Sequence, residues 1–405
     1  MNLRLNSEFG ALKAVLMHRP GKEIDRLTPY NKEYLLFDDV PYLEALQQEH
    51  DTFSNLIKSS TGGATVYQLR ELLINVLYDE HILLKLMRDA LQRSGLTHLA
   101  EAILERYSTA ECAIILTGGL KIHELKRKIL NLNSGELMDY AFAIAPCPNL
   151  YFQRDPMAVT PGGIIFSSMK MEGRQREADL LRTIFENHPD FKDNINKLYP
   201  ADGVHNPPSI EGGDIIILSN KAVAIGNSER TDEKAIYHAA KALLGEGTVE
   251  RVYEVHLPQK RQYMHLDTVF TILDENLVLT YPDALNSVLQ TSLYTLKEIR
   301  DDKVIIKREV LKESLLTILE REIPYLEILH TADGNPDYAM REQWFDGANV
   351  FAIGPRRVIS YNRNTHTNHA LRQMGVEVLE IPSSELSRGL GGPRCMTMPL
   401  SRSRV

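Results

Sequence analysis

The chain has 405 residues, of which 43% are hydrophobic and 25% are charged, and its formal net charge at pH 7 is −8. These values suit a globular protein with a sizeable core and exclude global disorder, and the acidic balance disfavours nucleic-acid binding through phosphate contacts. The 3 cysteines are too few for a disulfide framework or a cysteine-rich zinc site and fit a reducing cytosol. No signal peptide and no stretch of about 18 apolar residues is visible, so we expect a cytoplasmic protein without a membrane span.

The first predicted elements are a strand near residues 11–18 and a helix near 42–59. Residues 70–142 then show apolar side chains at helical spacing. Two series carry this pattern: Leu69, Leu72, Leu73, Val76 and Leu77, and then Leu83, Leu86, Met87, Ala90 and Leu91. Because strand-like stretches are nearly absent there, we interpret 70–142 as an all-helical insertion into a domain formed by residues 1–69 and 143–405.

The rest of the chain repeats one arrangement, in which a pair of short strands is followed by a helix and a further strand. The clearest units begin at Asp155, Asp214, Asp267 and Asn349, and a weaker unit begins near 11–18. A period of roughly 50–80 residues indicates structural repeats, and equivalent positions in radially repeated units face a common axis. The polar residues that open the strands are therefore expected to converge, although Asp and Asn also favour turns by themselves.

One of these strands carries two reactive side chains. His265 and Asp267 lie two residues apart, so on a strand their side chains point to the same side. The alternative is a polar surface that faces solvent. The apolar run that follows, residues 268–273, favours a buried strand and a pocket wall.

Cys395 is the candidate nucleophile. It follows a loop with three glycines that is bounded by Arg388 and Arg394, whose charges could lower the pKa of a thiol, although the sequence does not show whether the group rests as thiol or thiolate. The alternative is a buried structural cysteine, which is our interpretation of Cys112 and Cys147. A thiol, an imidazole and several carboxylates together suit covalent catalysis on a cation, and guanidinium matches carboxylates through paired hydrogen bonds.

Beyond these patterns, the sequence resembles the arginine deiminases of the guanidino-group-modifying superfamily over its whole length. The motifs that carry the resemblance are Gly10-Ala-Leu-Lys-Ala-Val-Leu-Met-His-Arg-Pro-Gly21, Leu35-Leu-Phe-Asp-Asp39, Asn227-Ser-Glu-Arg-Thr231, Asp346-Gly-Ala-Asn349 and Cys395-Met-Thr-Met-Pro-Leu400. The resemblance implies an α/β fold, a propeller of ββαβ-type units with five-fold pseudosymmetry and a helical insertion. It also implies hydrolysis of L-arginine to L-citrulline and ammonia, with no metal or organic cofactor.

The resemblance further implies a role for each residue that matches a family position. Cys395 would attack the guanidinium carbon and form a covalent thiouronium. Asp155 and Asp267 would hold the guanidinium nitrogens. His265, oriented by Glu211, would protonate the departing ammonia and then deprotonate the hydrolytic water.

The implied substrate-binding residues are Arg174, Arg230, Asn149 and Phe152. The two arginines match positions that bind the substrate carboxylate, and Asn149 and Phe152 match positions near the α-amino end. This chain departs from some relatives, which carry Arg at the position of Leu390 and His at that of Arg394. Because leucine is apolar, we assign Leu390 no polar role.

Other functions stay open at this point. The nearest is another enzyme of the same superfamily, such as an agmatine deiminase, a methylarginine hydrolase or an amidinotransferase. A metal hydrolase that uses the same histidine and carboxylates, or a binding protein without activity, belongs to a different class. We expect L-arginine as the only small-molecule partner, no nucleic acid, no membrane, and a homo-oligomer, either a dimer or a tetramer.

Overall fold

Strands and helices alternate along most of the chain in this computed structural model, which describes residues 3–129, 141–201, 203–286, 290–301 and 303–405. The strands are β1 (Leu12–Met17), β2 (Thr65–Gln68), β3 (Leu120–Lys121), β4 (Phe142–Ile144), β5 (Met157–Val159), β6 (Ile164–Phe166), β7 (Lys197–Tyr199), β8 (Ile215–Ser219), β9 (Ala222–Asn227), β10 (Arg251–His256), β11 (Phe270–Asp274), β12 (Leu277–Thr280), β13 (Thr291–Arg300), β14 (Lys303–Leu311), β15 (Glu327–His330), β16 (Phe351–Gly354), β17 (Arg357–Tyr361), β18 (Glu377–Ile381) and β19 (Met398–Arg402).

The α-helices are α1 (Lys22–Asp25), α2 (Leu43–Ser60), α3 (Leu69–Leu77), α4 (Glu80–Leu91), α5 (Ala100–Arg106), α6 (Thr109–Gly118), α7 (Ile122–Ile129), α8 (Gln175–Asn187), α9 (Glu233–Gly245), α10 (Pro282–Asn286), α11 (Leu315–Glu322), α12 (Pro336–Gln343) and α13 (Thr365–Gln373). The fold is therefore α/β, as the sequence predicts. No helix in the described ranges combines the length and the apolar composition that a membrane crossing needs.

One strand pattern recurs through the sheets. An antiparallel pair is followed by a third strand that runs parallel to the second, and one or more helices connect the second strand to the third. The pattern holds for β19-β1-β2, β5-β6-β7, β8-β9-β10, β11-β12-β15 and β16-β17-β18. The repeats that the sequence indicates are thus ββαβ units.

The weaker unit does not begin where the sequence suggested. The strand near 11–18 is β1, but it is the second strand of its unit, since its antiparallel partner is β19 at the other end of the chain. The prediction was wrong because it considered only pairs that are close in sequence. The consequence for the site is that Cys395 precedes β19 and so stands at the start of its unit.

Helices α3 to α7 occupy most of residues 69–129. The apolar series predicted there form the buried faces of α3 and α4. The region is not wholly helical, since β3 pairs antiparallel with β4. The part of the predicted insertion over 130–140 lies outside the described residues.

The hairpin of β13 and β14 was not anticipated. It extends the sheet of β8, β9 and β10. The outer half of β13 is exposed on both faces and β14 has only exposed and half-buried residues, so the apolar signal of a buried strand face is weak in the sequence.

Candidate active site

The predicted catalytic residues occupy equivalent places in different units. Asp155 stands shortly before β5, Glu211 before β8, His265 and Asp267 before β11, and Cys395 before β19. Every predicted site residue except Glu211 and Asp267 lines one cavity of about 20 Å³, and those two bond to residues that line it. The repeat thus brings side chains that are far apart in sequence to one small pocket.

The prediction that His265 and Asp267 lie on a strand was wrong, although both side chains do reach the site. His265 is extended, but Leu266–Thr268 form a turn of 3-10 helix, and β11 starts only at Phe270. The alternation of a strand therefore does not place these side chains. The turn still brings both to the site, because each contacts another site residue.

His265 lies between two carboxylates. Its Nε2 donates a hydrogen bond to Glu211 Oε2 at 2.8 Å, and its Nδ1 lies 3.7 Å from Asp155 Oδ1. Burial opposes protonation of the ring, but the charge of Asp155 and the bond to Glu211 outweigh it and raise the pKa of His265 to about 9. Burial likewise opposes ionisation of Glu211, yet the bond to His265 and the charge of Arg230 lower its pKa to about 2. At neutral pH the pair is an imidazolium and a carboxylate.

Cys395 is held beside Asp267. Its thiol donates to Asp267 Oδ2 at 3.7 Å, and its backbone N–H donates to Asn349 Oδ1 at 3.0 Å. The amide of Asn349 in turn donates to the backbone oxygen of Asp267 at 2.9 Å. Asn349 therefore ties the nucleophile to its carboxylate, a function that its place in the repeat did not reveal.

The thiol of Cys395 does not have the lowered pKa that the neighbouring arginines suggested. Burial and the charges of Asp267 and Asp155 raise its pKa well above the usual value, and the opposing charge of Arg394 is outweighed. Arg388 is at the surface and pairs with Asp39 instead. In the free protein Cys395 is a neutral thiol.

Both carboxylates expected to bind substrate already hold a guanidinium of the protein. Arg174 Nη1 lies 2.8 Å from Asp155 Oδ2, and Arg394 Nη1 lies 2.7 Å from Asp267 Oδ2. Leu390, which lines the cavity with φ of 54°, contributes an apolar surface. A volume of about 20 Å³ has room for about one water molecule, so a substrate enters only if side chains move.

The remaining predicted binding residues surround this pocket. Arg230 is buried with Nη1 4.0 Å from Glu211 Oε1. Asn149 donates to the backbone oxygens of Leu35 and Leu36 at 3.1 and 3.2 Å, which holds the segment Leu35-Leu-Phe-Asp-Asp39 over the site. The ring of Phe152 also lines the cavity.

The Phe152 ring sets the shape of the glycine loop. A Cβ atom on Gly391 would come within 2.3 Å of that ring, and one on Gly213 would come within 2.6 Å of His265 Nδ1. Both positions therefore require glycine because of close approach.

Asp214 connects the turns that carry two of the site residues, a function that the sequence did not assign to it. It is fully buried and accepts hydrogen bonds from Ser228 Oγ at 2.7 Å, Thr231 Oγ1 at 2.6 Å and Leu266 N at 2.9 Å. It thereby joins the turn that carries Arg230 to the turn that carries His265. Its position at the start of a repeat was visible in the sequence, but its partners depend on the fold.

Replacing Asp214 by alanine is expected to lower the free energy of unfolding by about 3 kcal/mol, because three buried donors lose their acceptor. Urea denaturation measures the change. The variant Asp214→Asn keeps an oxygen that accepts from Leu266 N, and its amide N–H group can donate to the hydroxyls of Ser228 and Thr231, so it should cost only about 1 kcal/mol. Equal losses in the two variants would contradict a central function for Asp214.

Within the described residues, no group of three or more His, Cys, Asp and Glu side chains is arranged to hold a metal ion.

Comparison with solved structures defines the class of fold. A mutant of DDAH from Pseudomonas aeruginosa, complexed with citrulline, matches with a TM-score of 0.53 and 15% identity over 96% of this chain and 99% of that one. SxtG, an amidinotransferase from Microseira wollei, matches with a TM-score of 0.55 and 14% identity over 100% and 98%. The fold is that of the DDAH and amidinotransferase structures.

Sequence comparison gives the family. A family model described as arginine deiminase matches residues 33–402. The arginine deiminases of Oenococcus oeni and Listeria monocytogenes are 36% and 37% identical, and each match covers 100% of this chain and 98% of the relative. The chain belongs to the arginine deiminase family, which confirms the resemblance seen in its motifs.

Proposed function

We propose that the protein hydrolyses L-arginine to L-citrulline and ammonia through a thiouronium formed on Cys395. The observation that carries the proposal is the pairing of Asp155 and Asp267 with the guanidinium groups of Arg174 and Arg394 beside this thiol. Two carboxylates that hold guanidinium groups in the free protein have the chemistry to hold that of arginine. Membership of the arginine deiminase family supports the same substrate.

Substrate charge activates the nucleophile in this mechanism. A bound guanidinium adds a positive charge beside the carboxylates that raise the pKa of Cys395, so the pKa of the thiol falls in the complex and the thiol releases its proton to solvent. The thiolate attacks the guanidinium carbon and forms the C–S bond. His265, protonated in the free protein, gives a proton to the departing nitrogen as the C–N bond breaks, and ammonia leaves.

The second half of the reaction hydrolyses the thiouronium and regenerates the free enzyme. His265, now neutral, takes a proton from water as the water oxygen attacks the thiouronium carbon. The hydroxyl proton of this adduct passes to the sulfur as the C–S bond breaks, which restores the Cys395 thiol and leaves the ureido group of citrulline, with His265 protonated as in the free protein. Glu211 keeps the ring of His265 oriented through both steps by its hydrogen bond at 2.8 Å.

The direct test is simultaneous measurement of citrulline and ammonia from L-arginine by the purified protein dialysed against EDTA. We expect equal amounts of the two products. Urea as a product, or transfer of the amidino group to an added amine, would assign the chain to another reaction of the superfamily. Loss of activity in EDTA would favour the metal hydrolase.

Arg230 is proposed to bind the substrate carboxylate. Its replacement by alanine should raise the KM for L-arginine about 30-fold and change the KM for agmatine, which has no carboxylate, much less. Steady-state kinetics with both compounds check this. Equal increases for the two would mean that Arg230 acts through Glu211, which lies 4.0 Å from it, rather than on the carboxylate.

We also propose that the ββαβ units are arranged as a propeller with five-fold pseudosymmetry and that residues 70–142 are an insertion domain. The recurrence of one strand pattern in the sheets supports the first proposal, and the helices α3 to α7 support the second. A homo-oligomer, dimer or tetramer, and a cytoplasmic location stay predictions, and sedimentation analysis measures the former.

A further inference from the structure

Arg174 donates a hydrogen bond from each of the three nitrogens of its guanidinium in the free protein. Nε and Nη2 donate to Glu177 Oε2 at 3.0 and 2.8 Å, and Nη1 donates to Asp155 Oδ2 at 2.8 Å. All three side chains are buried. Arg174 is therefore bound at the same time to a residue outside the reaction and to a carboxylate of the reaction centre.

Glu177 is the fixed end of this arrangement. It lies in the first turn of α8, three residues after Arg174, and its side chain is completely buried. Burial raises the pKa of Glu177 to about 7 although the charge of Arg174 opposes this, and the two hydrogen bonds from Arg174 hold its side chain in place. Nε and Nη2 hold Glu177, so Nη1 is the nitrogen of Arg174 that is bound to the reaction centre.

Arg174 occupies an oxygen of Asp155 that the substrate guanidinium would need. A guanidinium bound through paired hydrogen bonds requires both oxygens of Asp155, and Oδ2 is occupied by Nη1 of Arg174. Removing Arg174 from Asp155 would leave a buried cation with less compensation, which is costly unless another anion arrives. The carboxylate of the substrate is such an anion, and Arg174 lines the same cavity.

We propose that Arg174, anchored by Glu177, blocks Asp155 until a ligand carboxylate takes over its Nη1 edge. Binding at the two ends of the substrate is then coupled, because the substrate carboxylate draws Arg174 away and so frees Asp155 to bind the substrate guanidinium. Glu177 is the positioning residue of this exchange. The inference rests on the proposed function, and it predicts that guanidines without a carboxylate are selected against at the reaction centre as well as at the distal end.

The test compares kcat/KM for L-arginine and agmatine in the variants Arg174→Gln and Glu177→Gln. Arg174→Gln should lower the value for arginine about 100-fold, and it should raise the value for agmatine about 3-fold because Asp155 is released. Glu177→Gln should lower both values, since Arg174 then has Asp155 as its only charged partner. In the double variant, the effect of Glu177→Gln on agmatine should disappear.

Matched controls lie on the same helix. Arg182→Gln and Glu186→Gln change the same charges on α8 outside the cavity and should leave the agmatine-to-arginine ratio unchanged. Thermal denaturation verifies folding, and Arg174→Met serves as a second variant without an amide. A parallel fall of both substrates in Arg174→Gln and Arg174→Met would overturn the proposal, since Arg174 would then support Asp155 rather than block it. Failure of the wild type to form citrulline would instead contradict the proposed function.

Discussion

Replacing Cys395 by alanine is expected to reduce citrulline formation from L-arginine by about 10⁴-fold or more, because the covalent route loses its nucleophile. The structure gives this variant a clear interpretation. The side chain is buried beside Asp267, and its backbone is fixed by Asn349, so alanine removes the sulfur without removing a support of the fold. Stopped-time assays of citrulline measure the rate.

A second measurement follows the intermediate itself. Acid quenching of the wild type during turnover should trap an arginine-derived adduct on the peptide that contains Cys395, visible by mass spectrometry. Cys112→Ala is the matched control, since that cysteine lies in α6 and burial raises the pKa of its thiol to about 11. It should retain activity. Undiminished citrulline formation by Cys395→Ala would exclude the covalent mechanism.

The sequence predicted the elements that depend on local patterns. The apolar spacing in α3 and α4 and the strand pairs of the repeats correspond to the structure, because burial on one face leaves a period in the sequence. The pairing of β1 with β19 was missed, since no local pattern records a partner at the other end of the chain. The turn at residues 266–268 was interpreted as part of a strand, because the sequence shows only the apolar run that follows it.

The site was predicted as a set of residues but not as a set of contacts. Family motifs pointed to the proposed nucleophile, histidine and carboxylates, and their common position before the strands brings these side chains together. The sequence did not predict which charged residues pair with these carboxylates. Arg174 and Arg394 pair with the two aspartates in the free protein. Burial and the nearby carboxylates, rather than these arginines, set the direction of the pKa shifts of Cys395 and His265. The resting protonation of Cys395 did not follow from the sequence, because the arginines alone do not determine it.

Replacing His265 by asparagine is expected to reduce kcat by about 10³-fold, since one side chain serves as acid in the first half of the reaction and as base in the second. Asparagine keeps a donor towards Glu211 but carries no transferable proton at neutral pH. His238→Asn, a change in α9 outside the cavity, should leave kcat unchanged. A loss of less than about 10-fold in His265→Asn would mean that another group transfers the protons.

The pH dependence of stability tests the same residue without turnover. Because Asp155 and Glu211 outweigh burial, the pKa of His265 in the folded protein is about 9, against a usual value of 6.5. A pKa that is raised on folding means that the protonated ring stabilises the fold. This stabilisation is fully present below pH 6.5 and is lost as the pH rises through about 9. The difference in unfolding free energy between the wild type and His265→Asn should therefore shrink over that interval. A constant difference would show that His265 is neutral throughout, and the acid that releases ammonia would have to be a different group.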